Sequence, residues 1–363
     1  MIKKIIAAAL VLAALLLTAC ADKGPTAMEY EKITVTEEMY LYWMSHYKAV
    51  FMQNFKDIKD TDEFWSSTVS DGKTAEEYFT EITIENVKKN IAAVWLFDYM
   101  GLSFTSDMKK EIKDGIEDLK TNLASGDDDK FEAMLAEFGI TEDTLYDIYV
   151  MDAKISYTYD YLYGSGNVIN ISDSDKLTYT KENYVKIQHI YVNNNFKYVT
   201  IENELGSLTH DPETGEAYTA ELTDDEKAKK NDTIAKIDKA IADGEAFEDV
   251  WSKYSEDKYY ENGYYLTENT PFISEVVDAA LELDVGETVR LETKYGVHYI
   301  KRYEIEGTPW SDKANGDFFS DFDSKLADYV FNVMISETAE KVKVYSEITD
   351  KYKLRDISPN YYI

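Results

Sequence analysis

The chain has 363 residues, a formal net charge of −32 at pH 7 and a hydrophobic content of 44%. Such an acidic surface repels nucleic acid and anionic lipid, which excludes both as partners. The apolar content is sufficient for a sizeable core, which excludes a disordered chain, and the length allows two domains.

Residues 1–19 have the layout of a secretory signal: a lysine-containing start, an apolar run over 5–17 and two small residues. The run is shorter than the about 20 apolar residues of a membrane-spanning helix. The next residue, Cys20, is the sole cysteine and has no disulfide partner in the chain. The segment Leu17–Cys20 resembles the lipobox of bacterial lipoproteins, which implies that Cys20 carries a lipid and that 20–27 is a tether. The alternative is an ordinary cleaved signal followed by an incidental cysteine.

Consecutive amphipathic helices are predicted for residues 36–163. The clearest covers 74–101, where Thr74 and Glu77 form a capping box and a glycine ends the helix. Two further helices are predicted over 105–126 and 141–164. The acidic run Asp127–Asp129 is interpreted as a solvated loop between helices.

The pattern changes after Ser172. Residues 184–192 alternate with period 2 and are rich in β-branched and aromatic side chains, which predicts a strand. The following elements are a helix over 224–244, a short helix over 247–255, a loop over 262–272, a helical segment over 274–283 and two strands that turn at Tyr295–Gly296.

A helical period returns after Pro309. Its apolar stripe consists of Phe319, Phe322, Leu326, Val330 and Val333. Because a helix face needs an apolar partner, we expect 308–363 to pack back on the N-terminal helices. The predicted fold class is α+β: a helical domain built from N- and C-terminal segments, 28–177 and 308–363, with an inserted domain, 178–307, whose small sheet is surrounded by helices.

Common motifs of metallohydrolases, serine hydrolases, nucleotide-binding loops and zinc sites do not occur in the sequence. The segment 211–222 has a weak likeness to a calcium loop, but its glycine stands one position too early. The four histidines, at 46, 189, 210 and 298, are too widely spaced to suggest a metal cluster. We therefore predict neither a metal nor a cofactor.

Two stretches around histidines, KIQHIYV and YGVHYIKR, are similar to the first and last strands of parvulin-type peptidyl-prolyl isomerases. Between them, the stretch that ends in Tyr-Ser-Glu-Asp resembles the two helices of that family, and a Val-Gly-Glu turn precedes the last strands. The similarity covers about residues 181–306. Together with the lipobox and the helical flanks, the whole layout resembles the PrsA-type foldase lipoproteins, relatives of the SurA chaperones.

The resemblance implies a site. His189 and His298 would form its floor on adjacent central strands, and Asp257 would face them as the third catalytic residue. The proline-binding residues that it implies are Tyr265, Phe272, Val276 and Tyr295. The chain differs from the family pattern at its NGYYL stretch, and Val276 stands where a phenylalanine is expected.

The implied function is that of a lipid-anchored foldase at the outer face of a bacterial cell membrane. It would catalyse cis/trans isomerisation of X-Pro bonds and assist the folding of secreted polypeptides, its unfolded or partly folded partners; a homodimer is compatible with the resemblance. One alternative is a non-catalytic holdase with a degenerate isomerase domain, which the altered NGYYL stretch favours. The other is a solute-binding lipoprotein, which predicts two α/β lobes.

Overall fold

A computed structural model describes residues 24–54, 58–70, 72–164, 169–203, 206–211 and 214–362. The predicted signal peptide, 1–19, and the predicted lipid attachment at Cys20 lie outside the described residues. Among the helices of the described ranges, none has the length and apolar character that a bilayer crossing requires.

Helices and small antiparallel sheets make up the described chain, which confirms the α+β class. The helices are α1 (Glu37–Asn54), α2 (Asp62–Ser66), α3 (Ala75–Tyr99), α4 (Ser106–Ala124), α5 (Asp128–Glu137), α6 (Glu142–Tyr163), α7 (Asp173–Asn183), α8 (Asp224–Ala242), α9 (Phe247–Tyr254), α10 (Ser274–Glu282), α11 (Phe322–Ala339) and α12 (Ser346–Thr349). The strands are β1 (Thr26–Tyr30), β2 (Ile33–Thr36), β3 (Thr68–Ser70), β4 (Lys73–Thr74), β5 (Val185–Val192), β6 (Phe196–Tyr198), β7 (Ile201–Asn203), β8 (Gly206–Leu208), β9 (Thr219–Glu221), β10 (Tyr264–Leu266), β11 (Thr288–Thr293), β12 (Gly296–Tyr303) and β13 (Lys343–Val344).

The chain divides into two compact units. Among the described residues, the helical unit combines 24–170 with 327–362, and the inserted unit is 171–326. The inserted unit thus extends beyond the predicted border at 307. The reason is aromatic packing, because Phe319 stacks on Tyr184 of the inserted unit at 5.2 Å between ring centroids.

The core of the helical unit is shared by α1, α3, α4 and α6. Helix α3 begins with the predicted capping box: the Thr74 hydroxyl accepts from the Glu77 amide, and the Glu77 carboxylate accepts from the Thr74 amide. Along α3, Val87 and Ile91 recur every four residues and are fully buried. This spacing keeps both side chains on one face of the helix.

The C-terminal segment contributes to the helical unit in two ways. In α11, Phe331 and Ile335 belong to an apolar cluster with Leu96 of α3. Strand β13 pairs with β1, which is the central strand of the sheet β13-β1-β2. The predicted tether, 20–27, therefore ends within β1, where Ala27 is fully buried. The predicted stripe is wrong at Val333, which is 44% exposed.

Two local predictions are corrected. The acidic run is not a loop: Asp127 caps α5, whose first turn contains Asp128 and Asp129. Carboxylates at this position interact favourably with the positive end of the helix dipole. The predicted loop over 262–272 contains the edge strand β10, whose three residues pair with β5.

The inserted unit is built on a four-stranded antiparallel sheet with the order β10-β5-β12-β11. On one face, Ile190 and Val297 pack against α8 and α9. On the other, Ile187 and Ile300 pack against α10. Apolar side chains thus occur on both faces of the sheet, because successive residues of β5 and β12 point to opposite sides. Two short ribbons, β6–β9 and β7–β8, lie in sequence between β5 and α8.

Candidate active site

The two histidines predicted for the site lie on the neighbouring central strands β5 and β12. The register pairs His298 with Tyr191 and His189 with Ile300, so both histidines are on the same face as diagonal neighbours. His189 Nε2 lies 3.0 Å from His298 Nδ1. The rings are nearly parallel, with 13° between their planes. The structure thus brings the two histidines together.

Asp257 approaches the pair from the loop after α9. Its Oδ2 lies 2.7 Å from His189 Nδ1 and accepts a hydrogen bond from the Tyr264 hydroxyl at 2.6 Å. Its Oδ1 accepts from the Tyr259 amide at 3.1 Å. All three predicted polar residues are therefore joined in one hydrogen-bonded series, and the carboxylate is held by three donors.

Ser255 anchors the loop that presents Asp257. Its hydroxyl accepts from the Tyr191 amide at 3.1 Å and donates to the Asp257 carbonyl at 3.0 Å. The Glu256 amide donates to the Tyr191 carbonyl at 2.8 Å. The loop thus bonds to the end of β5, which fixes the carboxylate relative to the strand that carries His189.

At the other end of the series, His298 Nε2 lies 2.8 Å from the Thr293 hydroxyl. That hydroxyl accepts from the Tyr295 amide at 3.0 Å. The Tyr191 hydroxyl donates to the Tyr295 carbonyl at 2.7 Å. The β11–β12 turn is therefore tied to the histidines through its backbone.

One arrangement of protons satisfies the whole series. The ionised Asp257 only accepts, so His189 Nδ1 donates to it and His189 Nε2 accepts from His298 Nδ1. His298 Nε2 then accepts from the Thr293 hydroxyl. This direction is assigned from the hydrogen-bond partners.

The charges of the site agree with this arrangement. Burial alone would raise the pKa of Asp257, but hydrogen bonds from His189 and Tyr264 outweigh burial and hold that pKa below its usual range. Burial, and the repulsion that a protonated His189 would exert, lower the pKa of His298 to about 4. Burial and the bond to Asp257 raise the pKa of Tyr264, which stays a donor. At neutral pH Asp257 is therefore a carboxylate and His298 is neutral.

Glycine permits the close approach that places Tyr264. Gly263 has a φ of +85°, and a Cβ there would clash with the Ile187 carbonyl oxygen of β5. Only glycine adopts this conformation without strain. The chain therefore enters β10 directly against β5, and the Tyr264 ring lies with its edge to His189 at 6.0 Å.

The four predicted proline-binding residues differ in burial and in their distance from the histidines. Phe272 is half-buried, and its ring meets that of His189 edge-on at 5.6 Å. Val276 is fully buried in the α10 core. Tyr295 contributes its backbone, and its ring lies 5.0 Å from Lys294 Nζ.

The assignment of Tyr265 to the pocket is wrong. Tyr265 pairs with Lys186, whereas Tyr264 pairs with Ile187, so the two tyrosines lie on opposite faces of the sheet. Tyr265 packs on Phe319 at 5.1 Å. The tyrosine that reaches the histidines is Tyr264.

Sequence reasoning missed four polar members of the site: Tyr191, Ser255, Tyr264 and Thr293. A signal existed for Tyr264, since Tyr-Tyr-Leu after a glycine is compatible with an edge strand, and alternation would have separated the two tyrosines. For the other three, the contacts depend on strand register.

Neither of the other histidines joins the site. His46 belongs to α1 in the helical unit, and His210 forms an isolated bridge with Ala217. Across the described ranges, no group of three or more histidine, cysteine or carboxylate side chains could hold a metal ion.

Comparison with known proteins finds no matching family model and no matching curated protein. Among solved structures, the chain is similar to PrsA from Bacillus subtilis, with 19% identity over 77% of this chain and 92% of that chain and a TM-score of 0.24. It is also similar to foldase protein PrsA from Streptococcus pneumoniae, with 14% identity over 90% and 97% of the two chains and a TM-score of 0.23. NmPin, the parvulin of Nitrosopumilus maritimus, has 21% identity over 34% of this chain and 97% of that chain, with a TM-score of 0.21. Similarities this distant do not establish an activity.

Proposed function

We propose that the inserted unit is a peptidyl-prolyl isomerase and that the protein is a foldase for secreted polypeptides. The observation that supports this proposal is the hydrogen-bonded series from Tyr264 through Asp257, His189 and His298 to Thr293, next to the half-buried ring of Phe272. It combines a fixed charge with an aromatic wall.

Rotation about an X-Pro bond suits such a site. The barrier of about 20 kcal/mol comes from amide resonance, and no bond is made or broken. A catalyst needs only to hold the proline ring and to bind the twisted amide better than the planar one. Neither a nucleophile nor a metal is required for this step.

Each residue has a separate role in this mechanism. Phe272 packs against the proline ring. Asp257 acts on the amide through its charge: twisting reduces the negative charge on the carbonyl oxygen, so a nearby carboxylate disfavours the planar form more than the twisted one. His189 and His298, whose residues are 2% and 0% exposed, are positioning residues that hold the carboxylate in place.

The proposal includes a lipid anchor at Cys20 and unfolded secreted polypeptides as the proteins on which the foldase acts. The signal-like start and Cys20 support attachment to the outer face of a cell membrane. Unfolded secreted polypeptides are the partners that a surface isomerase would meet. The two α/β lobes expected of a solute-binding lipoprotein do not match a helical unit and a single unit built on one four-stranded sheet.

The test is isomerisation of a short proline peptide by the full-length protein. Asp257→Asn keeps the size of the side chain and removes its charge, so we expect kcat/KM to fall at least tenfold. Asp249→Asn, on the exposed side of α9, is the matched control and should leave the rate unchanged. Far-ultraviolet circular dichroism checks that both variants fold.

A second candidate function is a non-catalytic holdase. It is favoured by the placement of Tyr265 on the other face and by the complete burial of Val276, which leave Phe272 as the aromatic wall. A wild-type protein that suppresses aggregation of an unfolded client but does not accelerate isomerisation would support the holdase and end the isomerase proposal.

A further inference from the structure

The helical unit contains a cavity of about 510 Å³ that plays no part in the proposed isomerase. It lies between α1, α3, α6 and the start of α11. Its lining includes Trp43, His46, Tyr47, Asp152, Tyr159 and Asp328. Its rim is open to solvent at Ser156 and Asp328, which are both exposed. The volume is typical of sites for small ligands or single side chains.

One wall of the cavity is aromatic. Trp43 and Tyr47 are one helical turn apart on α1, and their rings stack at 5.8 Å between centroids. The Tyr47 hydroxyl accepts from the Asn90 amide at 3.3 Å, which holds the ring in place. The half-buried Tyr47 and the buried Trp43 therefore form an aromatic wall beside the cavity.

Two carboxylates also line the cavity, those of Asp152 and Asp328. Within the described part of the chain, the Asp152 carboxylate has no hydrogen bond and no ion pair. Burial raises its pKa to about 7. The Asp328 carboxylate accepts from the Tyr159 hydroxyl at 2.8 Å. No lysine or arginine lines the described cavity. His46 does not compensate the charge, because burial lowers its pKa and keeps it neutral at pH 7.

We propose that this cavity binds the side chain of an arginine in an unfolded polypeptide. A guanidinium is attracted to aromatic faces and pairs with carboxylates, and both kinds of partner line the cavity. A cation would also pair with Asp152, a half-buried carboxylate that has no hydrogen bond or ion pair among the described residues. Since the chain has a net charge of −32, basic segments are attracted to it over longer distances.

The site is independent of the histidine pair. It lies in a different compact unit, so binding there is expected whether or not the inserted unit catalyses isomerisation. A polypeptide that contains no proline therefore tests the cavity alone.

Protonation of Asp152 should make binding at this site depend on pH. The titratable groups around Asp152 are Tyr42, His46 and Tyr47 from α1, Tyr149 and Tyr159 from its own helix, and Asp328 from α11. The tyrosines are neutral at pH 7, because burial raises the pKa of each. A bound cation favours the ionised form of Asp152, so we expect affinity for arginine to increase as the pH rises from 6 to 8.

The experiment uses the full chain and a labelled, acetylated six-residue peptide of alanine and glycine with one central arginine. Its matched probe has citrulline, the neutral isostere, at the same position. At pH 8 and low salt, fluorescence anisotropy should show at least tenfold tighter binding of the arginine peptide. Asp152→Asn should remove this preference and its dependence on pH. Asp160→Asn, an exposed position on the same helix, should keep both.

Folding of the key variant can be checked independently. Asp152 has no hydrogen-bond partner among the described residues, so Asp152→Asn should unfold at the same temperature as the wild type or higher. Equal binding of the arginine and citrulline peptides would overturn the proposal, and so would an equal loss in the Asp160→Asn control. Binding of free arginine amide as tight as that of the peptide would also overturn it, because the cavity would then be a site for small molecules.

Discussion

At the scale of single residues, the site depends on which groups carry protons. His298 is fully buried, and its neutral form bridges His189 and Thr293. Asp257 is ionised because its donors outweigh its burial. Protonation of His298 would therefore disturb its hydrogen bond to Thr293, and protonation of Asp257 would remove the charge of the site.

We predict that acid weakens the inserted unit through His298. Its pKa is about 4 in the folded protein, against about 6.5 in an unfolded chain. Between these values the unfolded chain binds more protons, so the stabilisation present above pH 6.5 is lost as the pH falls towards 4. The loss is on the order of 3 kcal/mol. Urea unfolding followed from pH 7 to 4 measures it.

The comparison that isolates this effect is between two histidines of the same unit. His298→Asn should reduce the loss over this range, whereas His210→Asn, at an exposed position, should retain the wild-type profile. If both variants follow the wild type, His298 does not carry the pH dependence.

Neighbouring tyrosines provide a second prediction at this scale. Tyr264→Phe removes the hydroxyl that donates to Asp257 but keeps the ring, so we expect kcat/KM for isomerisation to fall about threefold to tenfold. Tyr265→Phe, one residue later on the opposite face, should leave the rate unchanged. Equal effects in the proline-peptide assay would contradict the assignment of Tyr264 to the site.

At the scale of elements, α11 serves two packing environments along its length. Phe322 at its start packs on Tyr179 of the inserted unit, at 5.7 Å between ring centroids. Phe331 and Ile335, further along, pack in the helical unit. The apolar stripe of α11 thus packs in the inserted unit at its start and in the helical unit further along. The predicted border at 307 falls too early because the sequence does not show where this change of partner occurs.

Helix α11 is predicted to stabilise the helical unit through Phe331. Phe331→Ala removes a buried ring and should lower the free energy of unfolding of that unit by about 3 kcal/mol. Val333→Ala, two residues later at an exposed position, should change it by less than about 0.5 kcal/mol. Chemical denaturation of both variants tests the difference, and similar losses would contradict the packing role of Phe331.

At the scale of the whole molecule, two segments far apart in sequence meet in one small sheet. β13 pairs with β1, so Val344 lies opposite Met28. The inserted unit therefore interrupts, in sequence, a helical unit that is built from segments on both sides of it.

Attachment of the whole molecule to a membrane is predicted to depend on Cys20. Two acyl chains would give stable anchoring, at about 0.8 kcal/mol per buried CH₂ group. Cys20→Ser should leave the protein unprocessed or release it from the membrane. Cell fractionation and the size of the band on a gel measure both results. A variant of mature size that remains in the membrane fraction would contradict the lipid anchor.

The sequence by itself determined the features that depend on neighbours within one or two turns. The capping box of Thr74 and Glu77 joins residues three positions apart, and the alternation over 185–192 is a property of one strand. Such contacts form wherever the local pattern occurs, so the pattern is sufficient to predict them.

Only the tertiary structure decided which distant residues meet. His189 and His298 are 109 positions apart. The prediction that they meet came from a family resemblance, because periodicity alone does not indicate which strands are neighbours. The strand register places Tyr264 and not Tyr265 beside them. Alternation shows that two neighbours in a strand face opposite sides, but it does not say which side holds the site. That choice depends on the pairing of separate strands, because a shift by one residue turns every side chain to the other face.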